Sequence, residues 1–221
     1  HMSEEQKKIA ATNLAGAAVA NLLLECKAYV SKVTLCDVAA RIDEEVAFFK
    51  HFRKDVKGHE IDVQESIEHG KLFINHDCDV QGIESREEII KNCKVTLAGH
   101  IAEELILGSC GYTYHKTNGQ QALALAKSLI FKGINETSLS KKKRNQLLEE
   151  AELFIERCET EVKELLSTHM TELNAVVQAL SAKNTLSHRE LRTLVFGEQD
   201  LIEHLDAQDL LTELLAPDTN K

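Results

Sequence analysis

Apolar residues recur at helical spacing along most of this 221-residue sequence, so the pattern favours helices over strands. The first such segment covers residues 3–29, where larger apolar side chains stand among many alanines. Its first turn carries Glu4 and Glu5, which interact favourably with the positive end of a helix dipole. The larger apolar positions are Ile9, Leu14, Val19, Leu22 and Leu23. The sequence therefore predicts a first, alanine-rich core helix.

Two short stretches change to a pattern that is typical of strands. Residues 30–38 (VSKVTLCDV) are rich in β-branched side chains with partial alternation, and residues 72–74 form a short apolar run. These stretches predict a small sheet or ribbon. The segment between them, residues 43–69, is charged and predicts a helix only around its phenylalanines, Phe48, Phe49 and Phe52.

The second half of the chain carries clear helix start and stop signals. Ser85 and Glu88 form a capping box, and the helix that they begin is predicted to end at Gly108. A loop rich in Gly, Ser and Tyr follows. Residues 120–131 then predict a short helix, which Gly133 closes.

A long helical region comes next. Residues 140–180 carry apolar side chains at helical spacing, and a break is predicted within residues 168–171. Ser187 and Glu190 form a second capping box, and the helix that follows it is predicted to end near Gly197.

Beyond that helix the chain is acidic. Residues 199–215 repeat leucine, which predicts an amphipathic helix or tail that docks on the body of the protein or on a partner. The only proline, Pro217, lies after all the predicted helices and therefore interrupts none of them. We expect a mainly α fold with a small β-ribbon or sheet.

Charge and hydropathy narrow the classes of partner. Lys and Arg number 26 against 36 Asp and Glu, and the net charge of -10 disfavours attraction to phosphate backbones. We expect no nucleic-acid partner. The longest uncharged run, residues 9–24, spans 16 residues and is shorter than the roughly 20 that cross a bilayer, so we expect no membrane span.

The six cysteines include no Cys-x-x-Cys pair, which disfavours a zinc ribbon or a dithiol redox motif. We expect mostly reduced thiols in a cytoplasmic protein, and no cofactor. His1 and Met2 are interpreted as the remnant of an expression tag, and no signal peptide is recognised after them.

The most informative stretch is residues 97–108, LAGHIAEELILG. It resembles a segment, similar to LLGGRAAEELVFG, in the peptidase domain of FtsH-type ATP-dependent zinc metalloproteases. In that family the segment follows a helix that carries His-Glu-Ala-Gly-His. The corresponding helix here, residues 11–18, keeps the Ala-Gly pair. It has Asn13 and Ala17 at the two histidine places and Leu14 at the glutamate place.

The resemblance covers most of the chain in order. Residues 85–196 are similar to the second half of the family's peptidase domain, whereas residues 38–82 depart from it. The sequence contains no Gly-x-x-x-x-Gly-Lys-Ser/Thr phosphate loop of an ATPase module. The expected organisation is a tag remnant at 1–2, a peptidase-like domain at 3–197 with a divergent insertion at 38–82, and an acidic helix or tail at 198–221.

A zinc peptidase of this kind needs two imidazoles at i and i+4, a glutamate that activates water, and a third ligand from elsewhere. The resemblance puts the third ligand, an aspartate in the family, at or near Asn118, with Gln120 or Gln121 as alternatives. The zinc site is therefore predicted to be degenerate, with no metal ligand and no catalytic residue. The candidate cleft consists of Asn13, Leu14, Ala17, Asn118 and Gln121.

A peptidase-like domain of this kind is expected to act by binding, as an adaptor, decoy or regulator. Its expected partner is a polypeptide, and the resemblance adds self-association or association with an FtsH-type protease.

Other interpretations remain open. A hydrolase with a relocated metal would use His76, Asp77 and Cys78, which contain metal-competent groups. A Cys110–His115 pair is a candidate nucleophile and base. A third interpretation is a helical scaffold that binds through its acidic tail. In that case residues 11–18 form a core helix that was never a site.

One further pair has the spacing of chelating residues. His100 and Glu104 stand at i and i+4 on the predicted helix, and we interpret them as a structural pair that supports the fold.

Overall fold

The computed structural model describes residues 3–35, 71–76, 85–109 and 112–197. The helix predicted around Phe48 and Phe49 and the helix predicted in the acidic tail lie outside the described residues.

Within these ranges the chain forms six α-helices, one turn of 3-10 helix at Glu136–Ser138, and three strands. The helices are α1 (Glu4–Leu23), α2 (Arg86–Leu107), α3 (Tyr112–Phe131), α4 (Lys141–Thr168), α5 (Met170–Lys183) and α6 (His188–Phe196). The strands are β1 (Ala28–Thr34), β2 (Lys71–His76) and β3 (Thr185–Ser187). The predicted mainly α fold with a small sheet is confirmed.

The capping signals mark the helix ends. Ser85 Oγ accepts a hydrogen bond from the backbone N–H of Glu88 at the start of α2. Gly108, which follows α2, has the left-handed conformation with φ 73° that ends helices. At the start of α6, Ser187 and Glu190 form the complete capping box. The predicted starts of both helices and the predicted end of α2 are confirmed.

The predicted start of α3 is wrong. This helix begins at Tyr112, not at residue 120, so the connection that follows α2 is only residues 108–111. A glycine inside a helix, such as Gly119, costs only about 1 kcal/mol relative to alanine, and α3 packs extensively against α2. Packing therefore outweighs the weak local signal, and Asn118 lies inside the helix and not at its start.

The break in the long helical region is confirmed. Helix α4 ends at Thr168 and α5 begins at Met170, because His169 between them has φ −112° and ψ 35°. Helices α4 and α5 are therefore two separate helices.

The strands form one antiparallel sheet in the order β2-β1-β3. Val33 in the central strand stands opposite Leu72 on one side and Leu186 on the other. The register against β2 shifts between Val30 and Lys32, which is the mark of a β-bulge. The predicted sheet is confirmed, whereas β3 was not predicted, because three residues are too few to show a period.

Helices α1 and α2 lie at the centre of the described fold. Helix α1 packs against α2, α5 and α6, and α2 also packs against α3 and α4. The predicted alanine-rich core helix is confirmed, since most of α1 from Ala10 to Leu22 is buried. Its predicted end near residue 29 is wrong, because α1 ends at Leu23 and β1 begins at Ala28. Across the ranges that the structure covers, no helix has the length and apolar character that a membrane crossing requires.

Candidate functional site

The face of α1 that carries the candidate ligand positions is pressed closely against α2. A Cβ added to Gly16 would lie 2.5 Å from both the Ala102 Cβ and the Ala98 carbonyl oxygen. A Cβ added to Gly99 would lie 2.7 Å from the side-chain oxygen of Asn13. Real Cβ atoms do not approach other atoms so closely, so this crossing depends on glycine from both helices.

Asn13, at the place of the first histidine, is bonded within this crossing. Its Nδ2 donates a hydrogen bond of 2.6 Å to Oε1 of Glu103 on α2. Asn13 is 7% exposed and Glu103 is fully buried at 0%. A carboxylate that is removed from water must be hydrogen-bonded to be tolerated, and the Asn13 amide supplies one such bond. Asn13 therefore has a structural partner in Glu103, whereas its predicted correspondence to a metal-binding histidine rests on the sequence resemblance alone.

The other candidate cleft residues are less buried. Leu14 and Ala17 are partly exposed and pack against the edge of the core. On α3, Asn118 is partly buried and Gln121 is exposed. The glutamate place and the second histidine place of the resemblance thus carry apolar side chains at the rim of the α1–α2 crossing.

Asn118 on α3 and Asn13 on α1 lie beside similar levels along the axis of α2. The Cys93 thiol lies 3.9 Å from the Ala122 carbonyl oxygen, which fixes the register of α2 against α3. The short connection makes the two helices antiparallel, so Asn118, one turn before Ala122, is level with about Leu97. Helices α1 and α3 both pack on α2, but within the described part of the chain they do not pack closely against each other.

His100 and Glu104 both reach helix α4. His100 Nε2 lies 3.7 Å from Glu159 Oε1, and Lys163 Nζ donates to Glu104 Oε2 at 3.5 Å. Their structural role therefore includes holding α2 against α4.

The alternative metal and nucleophile positions fall largely outside the described residues. His76 is the last residue of β2, whereas Asp77, Cys78 and Cys110 are not described, and only the backbone of His115, in α3, is. Among the residues that are described, no group of three or more His, Cys, Asp or Glu side chains is arranged to hold a metal ion.

The structure also reveals a site residue that the sequence did not single out. Glu103 belongs to the AEEL segment, but its burial and its bond to Asn13 were not predicted. A usable signal was present, because Gly99 and Glu103 stand at i and i+4 and therefore share one face of α2. This spacing places the Glu103 carboxyl group on the same side of α2 as the close contact at Gly99.

A second surface lies between the end of α3 and the middle of α4. It is an open groove of about 700 Å³. Leu153, which is 54% exposed, and Ile130 contribute apolar surface to it. The charged residues around them are Glu150, Glu156, Glu161 and Arg157, so carboxylates predominate.

Comparison with models of known protein families gives no match for this chain.

Proposed function

We propose that this chain is a non-catalytic, FtsH-like peptidase domain that binds a polypeptide. The observation that carries the proposal is the hydrogen bond between Asn13 and the buried Glu103. This bond gives Asn13, which the resemblance aligns with the first zinc ligand, a role in helix packing. Such a change of role is expected where a site no longer binds a metal. The resemblance of residues 97–108 supplies the family, and the proposal rests on it.

The groove between α3 and α4 supports binding as the activity. An exposed leucine next to Ile130 offers apolar area, and the predominance of carboxylates favours a ligand that carries basic side chains. The proposed ligand is therefore an extended or helical segment that combines apolar and basic residues.

A reconstruction of the zinc site tests the family assignment. The variant carries Asn13→His, Leu14→Glu, Ala17→His and Asn118→Asp, which restores the complete set of ligands and the base. In this variant Glu103 would stand beside the new imidazole at position 13, where a carboxylate orients a zinc-bound histidine. We expect the variant to bind Zn²⁺ in competition with a chromophoric chelator, and the wild type not to compete.

The matched control keeps the two histidines but retains Leu14 and Asn118. It is expected to bind zinc more weakly than the full variant, because one ligand is missing. A full variant that keeps the wild-type circular dichroism spectrum and still binds no zinc would show that the four positions do not converge, and the family assignment would be lost.

Peptide binding is tested at the groove. Fluorescence anisotropy compares a labelled peptide of apolar and basic residues with an acidic peptide of the same length. We expect only the basic peptide to bind, and Leu153→Glu to weaken its binding by about tenfold, which corresponds to about 1.4 kcal/mol. The control, Gln146→Glu, adds the same charge elsewhere on α4 and should bind as the wild type does. If Leu153→Glu and Gln146→Glu bind the basic peptide with equal affinity, the groove is not the binding site.

Two further measurements separate the alternatives. Stoichiometric zinc in the purified protein, together with chelator-sensitive digestion of casein, would identify an active metallopeptidase and overturn the proposal. Deletion of residues 199–221 should leave peptide binding unchanged, whereas a scaffold that binds through its tail would lose it.

A further inference from the structure

Helix α4 carries its charges in two blocks of opposite sign. The basic block is the first turn, which consists of Lys141, Lys142, Lys143 and Arg144. The acidic block is residues 149–161, which contain six glutamates and one arginine. The three lysines are exposed, and so are Glu150 and Glu156, which line the groove between α3 and α4. Both blocks therefore present charge to solvent.

This order of charges does not stabilise α4 itself. The positive end of the helix dipole lies at the first turn, where acidic side chains are favourable and basic ones are not. Helix α4 has no acidic residue in that turn. Its ion pairs with α2 use Glu159, Glu161 and Lys163, at the far end of the acidic block and just beyond it. The exposed lysines of the first turn lie about 25 Å from these pairs, at the rise of 1.5 Å per residue of an α-helix.

An apolar side chain stands inside the acidic block. Leu153 is 54% exposed, and together with the partly buried Ile130 of α3 it lines the groove. Removal of this leucine from water would stabilise a complex, because burial of apolar surface is favourable. The groove thus combines an apolar centre with surrounding carboxylates.

The chain itself contains a segment with the chemistry that this groove favours. In the connection from α3 into α4, Ile134 is 51% exposed, and Leu139 precedes the basic block by two residues. The basic block and Leu153 are separated by about 15 Å along α4. Because a helix cannot fold back on itself, the basic block of one molecule can reach only the acidic block of another molecule.

We propose that the groove between α3 and α4 binds α4 of a second copy of this chain, which runs antiparallel to the first about a two-fold axis. The basic block of each copy then lies beside the acidic block of the other. The axis crosses α4 between the two blocks, and Leu153 of each copy is covered by the partner.

The charges determine the direction and the stoichiometry of this contact. A parallel alignment would place basic beside basic and acidic beside acidic, which is unfavourable. An antiparallel pair satisfies both blocks of both copies at once, and a two-fold contact of this kind is closed. The expected product is therefore a dimer and not an open chain of molecules.

The second copy fills the groove that is proposed above to bind a polypeptide, so this inference rests on the proposed function. A contact through one helix face is small among protein interfaces, and a weak dimer is expected. Between about 50 mM and about 500 mM NaCl, its dissociation constant should rise about tenfold or more, because salt screens exposed charges.

Sedimentation velocity of the full chain over a dilution series measures the dimer. Two charge-reversal variants are compared with the wild type. The first carries Lys142→Glu and Lys143→Glu, and the second carries Glu150→Lys and Glu156→Lys. Each variant alone places like charges opposite each other, and we expect its dimer to be at least about tenfold weaker than that of the wild type.

An equimolar mixture of the two variants is the decisive measurement. In a mixed dimer the new glutamates of one copy face the new lysines of the other, and the two unchanged blocks also face each other. We expect the mixture to dimerise about as well as the wild type. Mixing does not rescue a variant that fails to fold, so restored association reports complementary charge.

The matched control reverses the same amount of charge outside α4. Lys8→Glu with Arg189→Glu changes exposed positions on α1 and α6 and should dimerise as the wild type does. Deletion of residues 199–221 should also leave the dimer intact. Loss of the dimer on that deletion would identify the acidic tail as the partner of the basic block and overturn the inference.

Three further results would overturn it. The wild type would be monomeric throughout the dilution series, or it would form an assembly larger than a dimer, or the mixture of variants would stay monomeric. A monomeric wild type that still binds the basic labelled peptide would overturn this inference alone. A wild type that neither dimerises nor binds that peptide would remove the groove from the proposed function as well.

Discussion

Asn13 and Glu103 show how two residues that are 90 positions apart define one another's role. The asparagine amide donates to a carboxylate that has no exposed surface, and Gly99 leaves just enough room for it. From the sequence alone, Asn13 is interpreted as a replacement for histidine only through the resemblance of Ala15 and Gly16 to the family pattern, and this interpretation stays a prediction. Its partner is not recognisable, because helical periodicity shows which face is buried and not which distant side chain meets it.

Glu190 provides a pH-dependent prediction at the same scale. Lys183 Nζ donates to it at 2.6 Å, and the backbone N–H and Oγ of Ser187 each donate at 2.9 Å. These bonds, that from Lys183 first, lower the pKa of Glu190 from its ordinary value of 4.5 to about 2. The ionised carboxylate therefore contributes stability above pH 4.5, and this contribution is lost as the pH falls from 4.5 towards 2.

The melting temperature of the wild type should consequently fall more steeply over this pH interval than that of Glu190→Gln. The difference should be small and salt-sensitive, because the Glu190 side chain is 39% exposed. Glu149→Gln, at an exposed position on α4, is the control and should follow the wild type. Parallel curves for the wild type and Glu190→Gln would contradict the role of this capping box.

At the scale of helices and strands, the crossing of α1 and α2 depends on the absence of side chains. Gly16 and Gly119 form a matched pair that tests this, since both lie inside helices with ordinary dihedral angles. A Cβ at Gly16 would collide with Ala98 and Ala102, whereas a Cβ at Gly119 would meet no atom within 4 Å.

Gly16→Ala should therefore lower the free energy of unfolding by about 1–3 kcal/mol, because the two helices must move apart. Gly119→Ala should raise it by up to about 1 kcal/mol, because alanine favours the helix. Urea denaturation followed by circular dichroism measures both changes. If Gly16→Ala leaves the free energy of unfolding unchanged, α1 and α2 are less closely packed than the structure shows.

The helices could be predicted largely from the sequence because their signals are local. Ser85 and Ser187 each lie next to the turn that they cap, and Gly108 lies next to the helix that it ends. The start of α3 could not be predicted, because Gly119 and the polar residues before it give no local helix signal, whereas the helix as a whole packs against α2. Strand β3 was missed for the same reason, since Thr185–Ser187 is extended through pairing with β1.

For the molecule as a whole, Asn21 is one of the residues that join the described helices to the sheet. It is 2% exposed, its Nδ2 donates to the Ala28 carbonyl oxygen at 2.8 Å, and its Oδ1 accepts from the Val30 N–H at 3.0 Å. From the other side, His188 Nδ1 lies 2.7 Å from the Val30 carbonyl oxygen. Strand β1 is thus bonded to the first and the last described helices.

Asn21→Ala should lower the free energy of unfolding by about 1–3 kcal/mol, because two backbone groups lose their buried partner. Hydrogen exchange of the β1 amides should accelerate more than that of α4. The exposed Asn145 on α4 supplies the control, since Asn145→Ala removes the same amide where it has no buried partner to lose. Uniform acceleration across the protein would indicate general destabilisation and not a loosened sheet.

The candidate site stays a prediction at this scale. The resemblance singled out Asn13 and Asn118, and the structure places Asn13 against α2 and Asn118 within α3, a helix that also packs on α2. The partners that each residue meets depend on the order in which α1, α3 and α4 surround α2, and no local pattern encodes that order.

The pairing of β1 with β3 has a consequence for synthesis of the chain. Thr34 Oγ1 and Thr185 Oγ1 lie 2.9 Å apart although 151 residues separate them, so this contact has a very long loop to close. At translation rates of about 5–20 residues per second, β1 leaves the ribosome roughly 8–30 s before β3 does. During that interval the edge of β1 that β3 will cover offers unpaired backbone groups to chaperones or to strands of other nascent chains.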